Sequence, residues 1–154
     1  MKTKLKEKDI ARIAEIEASL FKDKAWSLEL IRSEIENPEN LVIVVKDDFL
    51  EVIGYIIIKV ILDEAEVLRL GVKKENQGKG IGEGLLMAAL DVLRRSGIKK
   101  VFLEVSVDNI KAQRLYEKFE FKKVGERKNY YSPGKSAFVM YKILEEENNV
   151  KGRD

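Results

Sequence analysis

Apolar residues recur at helical spacing near the start of the chain. Ile10, Ile13, Ala14, Leu20 and Phe21 share one face of a 3.6-residue repeat, so residues 9–22 are expected to form an amphipathic helix. A short loop carries Ala25 and Trp26. Ser27 is a candidate N-cap, and Leu28, Ile31 and Ile35 mark a second helix face. Asn37-Pro38 ends that helix, because a residue before proline is pushed out of the helical region. The period then changes to the extended kind. Runs at 41–45, 52–60 and 66–72 read as strands, with turns at Asp47-Asp48 and Asp63-Glu64. Links this short predict antiparallel hairpins. A glycine-rich loop at 77–82 leads into a long helix striped by Leu85, Leu86, Ala89, Leu90 and Leu93 and ended by Ser96-Gly97. The run 101–105 follows as a strand. Strand, helix, strand is a crossover unit, so 67–72 and 101–105 are expected to be parallel neighbours. Asp108 or Asn109 caps a further helix to about Lys118, and strands near 121–127 and 137–143 close the sheet. The pattern is that of a mixed α/β (α+β) fold: one domain over residues 1–144 and a polar tail at 145–154.

Composition narrows the chemistry more than it narrows the fold. The 154 residues are 45% apolar and 36% charged, with 29 basic and 27 acidic side chains and a net charge of +2. A chain of this length folds as one domain with a substantial core. The small net charge lacks the basic excess of a dedicated nucleic-acid binder. The longest apolar runs, 41–45 and 56–58, are too short to span a bilayer. No apolar signal core follows the basic N-terminus, so the protein is expected in the cytoplasm. The chain has neither cysteine nor histidine. Disulfides, thiolate metal sites, cysteine nucleophiles, Ser-His-Asp triads and histidine-bound zinc are therefore excluded, and no metal is expected. A general base must be a carboxylate, a lysine or a tyrosine. Any acyl transfer is then expected to run directly between two bound substrates and not through a thioester on the enzyme.

Gly78, Gly80 and Gly82 alternate just before a helix, in the segment Gln77-Gly78-Lys79-Gly80-Ile81-Gly82. Glycine lets backbone amides crowd around an anion, and a helix N-terminus adds partial positive charge. Lys79 adds more. A pyrophosphate suits this loop; a glycine-rich turn with no ligand is the other reading. The spacing is not the dinucleotide fingerprint, which needs glycine at Glu83 or Leu85, and not a P-loop, because Gly80 follows Lys79.

Glu104 stands inside the apolar run Val101-Phe102-Leu103-Glu104-Val105. A central parallel strand is normally buried on both faces. Burial is then expected to raise the pKa of Glu104 toward a range useful for a base. A solvent-facing or lysine-paired glutamate is the alternative. Tyr116 lies beside Ala112, Leu115 and Phe119 at helical spacing, where a tyrosine also serves as core. Trp26, Asn129, Tyr130 and Tyr131 are candidates for contact with a peptide substrate, or for packing of the first helix and the last hairpin.

The loop Gln77–Gly82 resembles the acetyl-CoA signature Q/R-x-x-G-x-G/A of the GNAT acetyltransferases. The strand Leu68-Arg69-Leu70-Gly71-Val72 resembles the family's pantetheine-pairing strand, and the order of elements from Ile10 to Ile143 resembles the whole GNAT domain. Residues 103–121 closely resemble the L-E-V-R-x-x-N-x-x-A-x-x-L-Y-x-x-x-G-F segment of the family's RimI group, bacterial enzymes that acetylate the N-terminal alanine of a small-subunit ribosomal protein. Ala25-Trp26-Ser27, Leu62-Asp63-Glu64-Ala65 and Arg127-Lys128-Asn129-Tyr130-Tyr131 resemble that group's P-W-S, L-D-E-A and R-x-N-Y-Y. Three positions depart from the pattern: Ala25 stands for proline, Ser106 for arginine and Glu120 for glycine. The resemblance implies the GNAT fold, a mostly antiparallel mixed sheet of six to seven strands with about four helices. It implies acetyl-CoA as cosubstrate, held by Leu70, Gly71, Val72, Gln77, Gly78, Lys79, Gly80, Ile81, Gly82, Glu83 and Asn109. It assigns Glu104 as base and Tyr116 as acid. The implied partner is a protein N-terminus, that of a ribosomal protein, with no direct nucleic-acid or membrane contact. Acetylation of a lysine side chain or small amine, and CoA binding without catalysis, are the competing functions.

Overall fold

The computed structural model describes residues 4–132 and 135–144. Among the described residues there are four α-helices and six strands: two helices, three strands, a helix, a strand, a helix and two strands in chain order. Helix α1 is Glu7–Phe21 and α2 is Leu28–Glu36. Strands β1 (Asn40–Lys46), β2 (Val52–Ile61) and β3 (Glu64–Val72) follow, then α3 (Ile81–Arg95), β4 (Lys100–Ser106), α4 (Ile110–Lys118), β5 (Lys122–Ser132) and β6 (Lys135–Ile143). The strands form one sheet in the order β1-β2-β3-β4-β6-β5. β3 and β4 pair in parallel, and the pairs β4–β6 and β5–β6 are antiparallel. No helix among the described residues is long and apolar enough to cross a membrane.

The helix ends follow from local chemistry. The Asp9 carboxylate accepts the Lys6 backbone N–H at 2.9 Å and so ties down the start of α1. Ser27 Oγ accepts the Leu30 N–H at 3.1 Å, the capping bond expected of it. Helix α3 closes on Gly97, whose φ is +84°, with Ile98 N–H donating to Leu93 O at 3.0 Å and Gly97 N–H to Arg94 O at 3.1 Å. These two bonds form a Schellman cap. Helix α4 ends the same way, with Phe121 N–H on Tyr116 O and Glu120 N–H on Glu117 O. Here the left-handed residue is Glu120, at φ +69°.

The chain divides into two compact units. The first comprises Met1–Ile58 and Arg69–Leu90. Its core strand is β2, buried without interruption from Val52 to Ile58, and Ile10, Ile13 and Ile16 of α1 and Leu85 and Leu86 of α3 are also buried. The second comprises Lys59–Leu68 and Asp91–Asp154. Its core includes Val101, Leu103 and Val105 of β4, Tyr116 of α4, Phe121 and Met140.

The expectations for the second turn and for β4 need correction. The second turn is Leu62-Asp63, with Leu62 at φ +58°, and Glu64 already belongs to β3. β4 is not buried on both faces. Val101, Leu103 and Val105 are buried while Phe102, Glu104 and Ser106 are half-buried. The strand has a parallel neighbour on one side and an antiparallel one on the other, so it alternates in and out instead of reading as a fully enclosed parallel strand.

Candidate functional site

In the first unit, the loop between β3 and α3 is shaped by glycine. Gly78 and Gly80 have φ of +78° and +83°, a region that side-chain-bearing residues enter only with strain. A Cβ built on either would meet nothing within 4 Å. The backbone of the loop is thus open on that side. Helix α3 begins at Ile81, with Gly84 N–H on Gly80 O at 3.0 Å. At a helix start the first amides have no carbonyl of the preceding turn to bond, so those of Ile81 and Gly82 point along the axis. An anion with several oxygens fits such an end. Lys79 is exposed beside it.

Packing fixes this loop against its sheet. A Cβ on Gly54 of β2 would lie 3.0 Å from Ile81 Cγ2 and 3.2 Å from Leu85 Cδ1, so the first turn of α3 rests directly on that glycine. The Gln77 side chain donates from Nε2 to Val72 O at 2.9 Å. That amide therefore anchors the loop to the end of β3. Within β3, Gly71 is equally constrained: a Cβ there would stand 2.6 Å from the Tyr55 hydroxyl oxygen. Leu70 and Val72 flank it as half-buried positions.

The same unit holds a polar cluster that the hydrophobic pattern conceals. The Glu17 carboxylate is buried in α1. It accepts the Tyr55 hydroxyl at 2.6 Å, the Trp26 backbone N–H at 2.9 Å and Arg69 Nε at 2.8 Å. Arg69 Nη2 also donates to Lys24 O at 2.7 Å. Its guanidinium lies 4.1 Å from the Phe21 ring centroid and 5.0 Å from that of Trp26. Burial, and then the Glu17 charge, hold the Tyr55 phenol above its ordinary pKa. Trp26, a candidate for peptide contact, is therefore half-buried in a loop pinned to α1. Glu17 occupies a helical core position four residues after Ile13, which was the available signal.

In the second unit, Glu104 sits on the half-buried face of β4, its side chain 15% exposed. Its Oε2 lies 2.8 Å from Arg127 Nε of β5. The contact is an ion pair by distance, yet that buried oxygen has no aligned hydrogen-bond donor among the described residues. The partner is an arginine, not the lysine of the alternative reading. Glu66 of β3 is on the same face, and burial first, then the Glu104 charge, push its carboxyl above the usual range, with Lys59 and Arg127 acting the other way.

Tyr116 is buried at 7% exposure, its ring edge-on to Phe121 with centroids 5.6 Å apart. Asn109 is the N-cap of α4, Oδ1 accepting the Ala112 N–H at 3.1 Å. Gln113 Nε2 donates to Ser106 O and Val107 O, each at 3.0 Å, and so ties the tyrosine-bearing helix to the end of β4. The backbone of Asn129, Tyr130 and Tyr131 continues β5, but the side chains of these three candidates lie outside the described residues, as do residues 133–134 and the tail from 145.

Comparison with known proteins is consistent across sequence and structure. The model of the acetyltransferase (GNAT) family matches residues 9–121. A Bacillus subtilis protein is 34% identical over 154 residues, covering 95% of this chain and 100% of its own; its name provisionally assigns it as a [ribosomal protein bS18]-alanine N-acetyltransferase. The N-alpha-acetyltransferase RimI of Mycobacterium tuberculosis is 36% identical over 138 residues, 86% of this chain and 85% of its own. The crystal structure of the Escherichia coli ribosomal-protein-S18-alanine N-acetyltransferase superposes with a TM-score of 0.84 at 26% identity, covering 95% and 96% of the two chains.

Proposed function

Because this chain belongs to the GNAT acetyltransferase family, we propose that it transfers the acetyl group of acetyl-CoA to the N-terminal α-amine of a protein, the N-terminal alanine of ribosomal protein bS18. The names of the relatives supply the substrate. The observation that carries the chemistry is the Glu104 carboxylate, whose buried Oε2 lacks an aligned donor beyond the ion pair with Arg127. Such an oxygen is able to accept a proton.

The residue roles follow from what each group can do. An α-ammonium has a pKa of roughly 8, against about 10.4 for lysine, so it is the easier amine to deprotonate. Glu104 takes its proton, directly or through a water. The amine then attacks the acetyl carbonyl, which a backbone N–H in Leu70–Val72 polarises. Tyr116 returns a proton to the departing CoA thiolate, whose pKa is about 8.5 by analogy with cysteine. The amides of Gly78 through Glu83, with Lys79, hold the pyrophosphate, and Gln77 shapes their loop. Asn109, beyond its capping role, contacts CoA. Trp26, Asn129, Tyr130 and Tyr131 are the candidates for contact with the peptide.

The test is acetyl-CoA turnover on the N-terminal peptide of bS18 from the same organism, beside an N-blocked peptide with an internal lysine. Mass spectrometry should place the acetyl group on the alanine α-amine. Acetylation of the lysine alone would shift the assignment to side-chain amines.

A further inference from the structure

The segment 22–27 between α1 and α2 is held from outside itself. None of its side chains is fully buried, and Lys22 enters it at φ +54°. A segment with so little buried surface is not fixed by its own packing. Two of its backbone groups are held instead. The Glu17 carboxylate accepts the Trp26 N–H at 2.9 Å, and Arg69 Nη2 donates to Lys24 O at 2.7 Å. Glu17 and Arg69 are bonded to each other, so one ion pair secures both points. The guanidinium also lies against the rings of Phe21 and Trp26. Tyr55 of β2 donates to the second Glu17 oxygen at 2.6 Å. All of these residues belong to the first unit. A buried ion pair adds little stability over apolar residues of the same volume. What this one supplies is geometry, and the side chain whose place it fixes is Trp26.

We propose that Glu17 and Arg69 are positioning residues for the peptide substrate: their ion pair holds Trp26 in a preformed wall, so that segment 22–27 is already ordered when the peptide arrives. This rests on the reading of the chain as a protein N-terminal acetyltransferase with Trp26 at the peptide. A preformed wall spares the peptide the cost of ordering that segment on binding. The pair therefore acts on peptide affinity and takes no part in moving protons or the acetyl group. The glycine loop has separate anchors, Gln77 on Val72 O and the first turn of α3 on Gly54. Acetyl-CoA affinity is accordingly expected to be independent of the pair.

Trp26 is the chain's one tryptophan, so its fluorescence reports on this segment alone. Initial rates with alanine-terminated peptide and acetyl-CoA are compared for wild type, Trp26→Ala, Arg69→Lys and the double variant Glu17→Met with Arg69→Met. The two methionines leave no unpaired buried charge, so the double variant is expected to fold. Arg69→Lys keeps the charge but lacks the fork that reaches Glu17 and Lys24 O together, and serves as a second, milder variant. The peptide KM is expected to rise about tenfold in the double variant, the scale of ordering one or two side chains on binding. It should rise in the same direction in Trp26→Ala and Arg69→Lys, with kcat and the acetyl-CoA KM held. A merely structural role would lower kcat through a smaller folded fraction and leave the peptide KM alone. Acrylamide should quench Trp26 more strongly in the double variant than in wild type. A wild-type peptide KM in the double variant, in Arg69→Lys or in Trp26→Ala overturns the inference, while acetylation by wild type leaves the proposed function standing. A raised peptide KM with unchanged quenching overturns it too, because the pair then acts through something other than Trp26. A wild-type enzyme that acetylates no peptide α-amine removes the function, and the inference with it.

Discussion

Glu17 and Arg69 form a sequestered ion pair, Nη2 to Oε2 at 2.6 Å, with side chains 1% and 16% exposed. The pair joins α1, β3 and the segment that carries Lys24 and Trp26, and the Tyr55 hydroxyl completes it. Removing the cation leaves a buried carboxylate with fewer donors. Arg69→Met is therefore expected to cost about 3–5 kcal/mol of unfolding free energy, the range for breaking one side of a buried pair. Urea denaturation of the variant reads this directly. A loss of less than about 1 kcal/mol would show that the pair behaves like a surface contact.

That pair also marks where sequence reasoning stops. The glycine loop, α3 and the crossover to β4 were legible because each rests on a rule of local chemistry: positive φ, a 3.6-residue stripe, a helix between parallel strands. The Glu17–Arg69 contact depends on which faces meet, and apolar counting skips a charge in the stripe. β5 extends to Ser132, past the expected end at Arg127, because its sequence shows no regular apolar alternation from which to read a boundary. Leu62 in a left-handed turn has the wrong chemistry for that turn, so the sequence points one residue too far along, to Asp63-Glu64. Glu104 and Tyr116 were found through family spacing; composition showed only that histidine could not do their work.

Glu120 tests the local backbone. It holds φ +69° in the cap that binds the Tyr116 carbonyl, where the resembling segment has glycine. A left-handed residue with a Cβ costs about 1–2 kcal/mol, and glycine's greater freedom in the unfolded chain takes back part of that. Glu120→Gly is thus expected to stabilise by up to about 1 kcal/mol, visible as a higher thermal midpoint. The weak contact of Lys142 Nζ with Glu120 Oε1, at 3.4 Å and largely exposed on the glutamate side, is too small to reverse the sign. A lowered midpoint would contradict this account.

Gly80 is predicted to fail differently. Its φ of +83° is strained for any side chain although the space around it is open. Gly80→Val should weaken acetyl-CoA binding by turning the loop amides away and by covering the open side. Gly84→Ala makes the contrast, since Gly84 lies inside α3 with nothing within 4 Å of a built Cβ and no positive φ. There alanine should add roughly 0.5–1 kcal/mol of stability through helix propensity. Calorimetric titration with acetyl-CoA separates the two, and unchanged affinity in Gly80→Val would remove the pyrophosphate assignment.

Glu104→Gln and Tyr116→Phe probe the two proton transfers. Loss of a positioned acid or base typically lowers the rate about 10²–10⁴-fold. Both variants are expected to lose kcat on that scale while binding acetyl-CoA normally. Tyr116 is packed edge-on to Phe121, and phenylalanine preserves that contact, so a folding defect is not the expected source of the loss. Full turnover in either variant would return that residue to a packing role.

Glu66 links the site to stability. Its carboxyl pKa is raised in the folded chain, by burial first and by Glu104 second. The folded state therefore holds the Glu66 proton more tightly than the unfolded chain does. Below the unfolded value, both states are protonated and the group costs nothing. As pH rises through the folded value, the protein must bear a carboxylate it disfavours, and stability falls. Glu66→Gln removes that cost. It is expected to raise the unfolding midpoint at neutral pH, and the gain should shrink to nothing as pH drops below the ordinary glutamate pKa. Thermal melts of the two proteins across that range give the sign. A gain that persists unchanged in acid would have to come from packing, and the like-charge account of Glu66 and Glu104 would then lose its energetic basis.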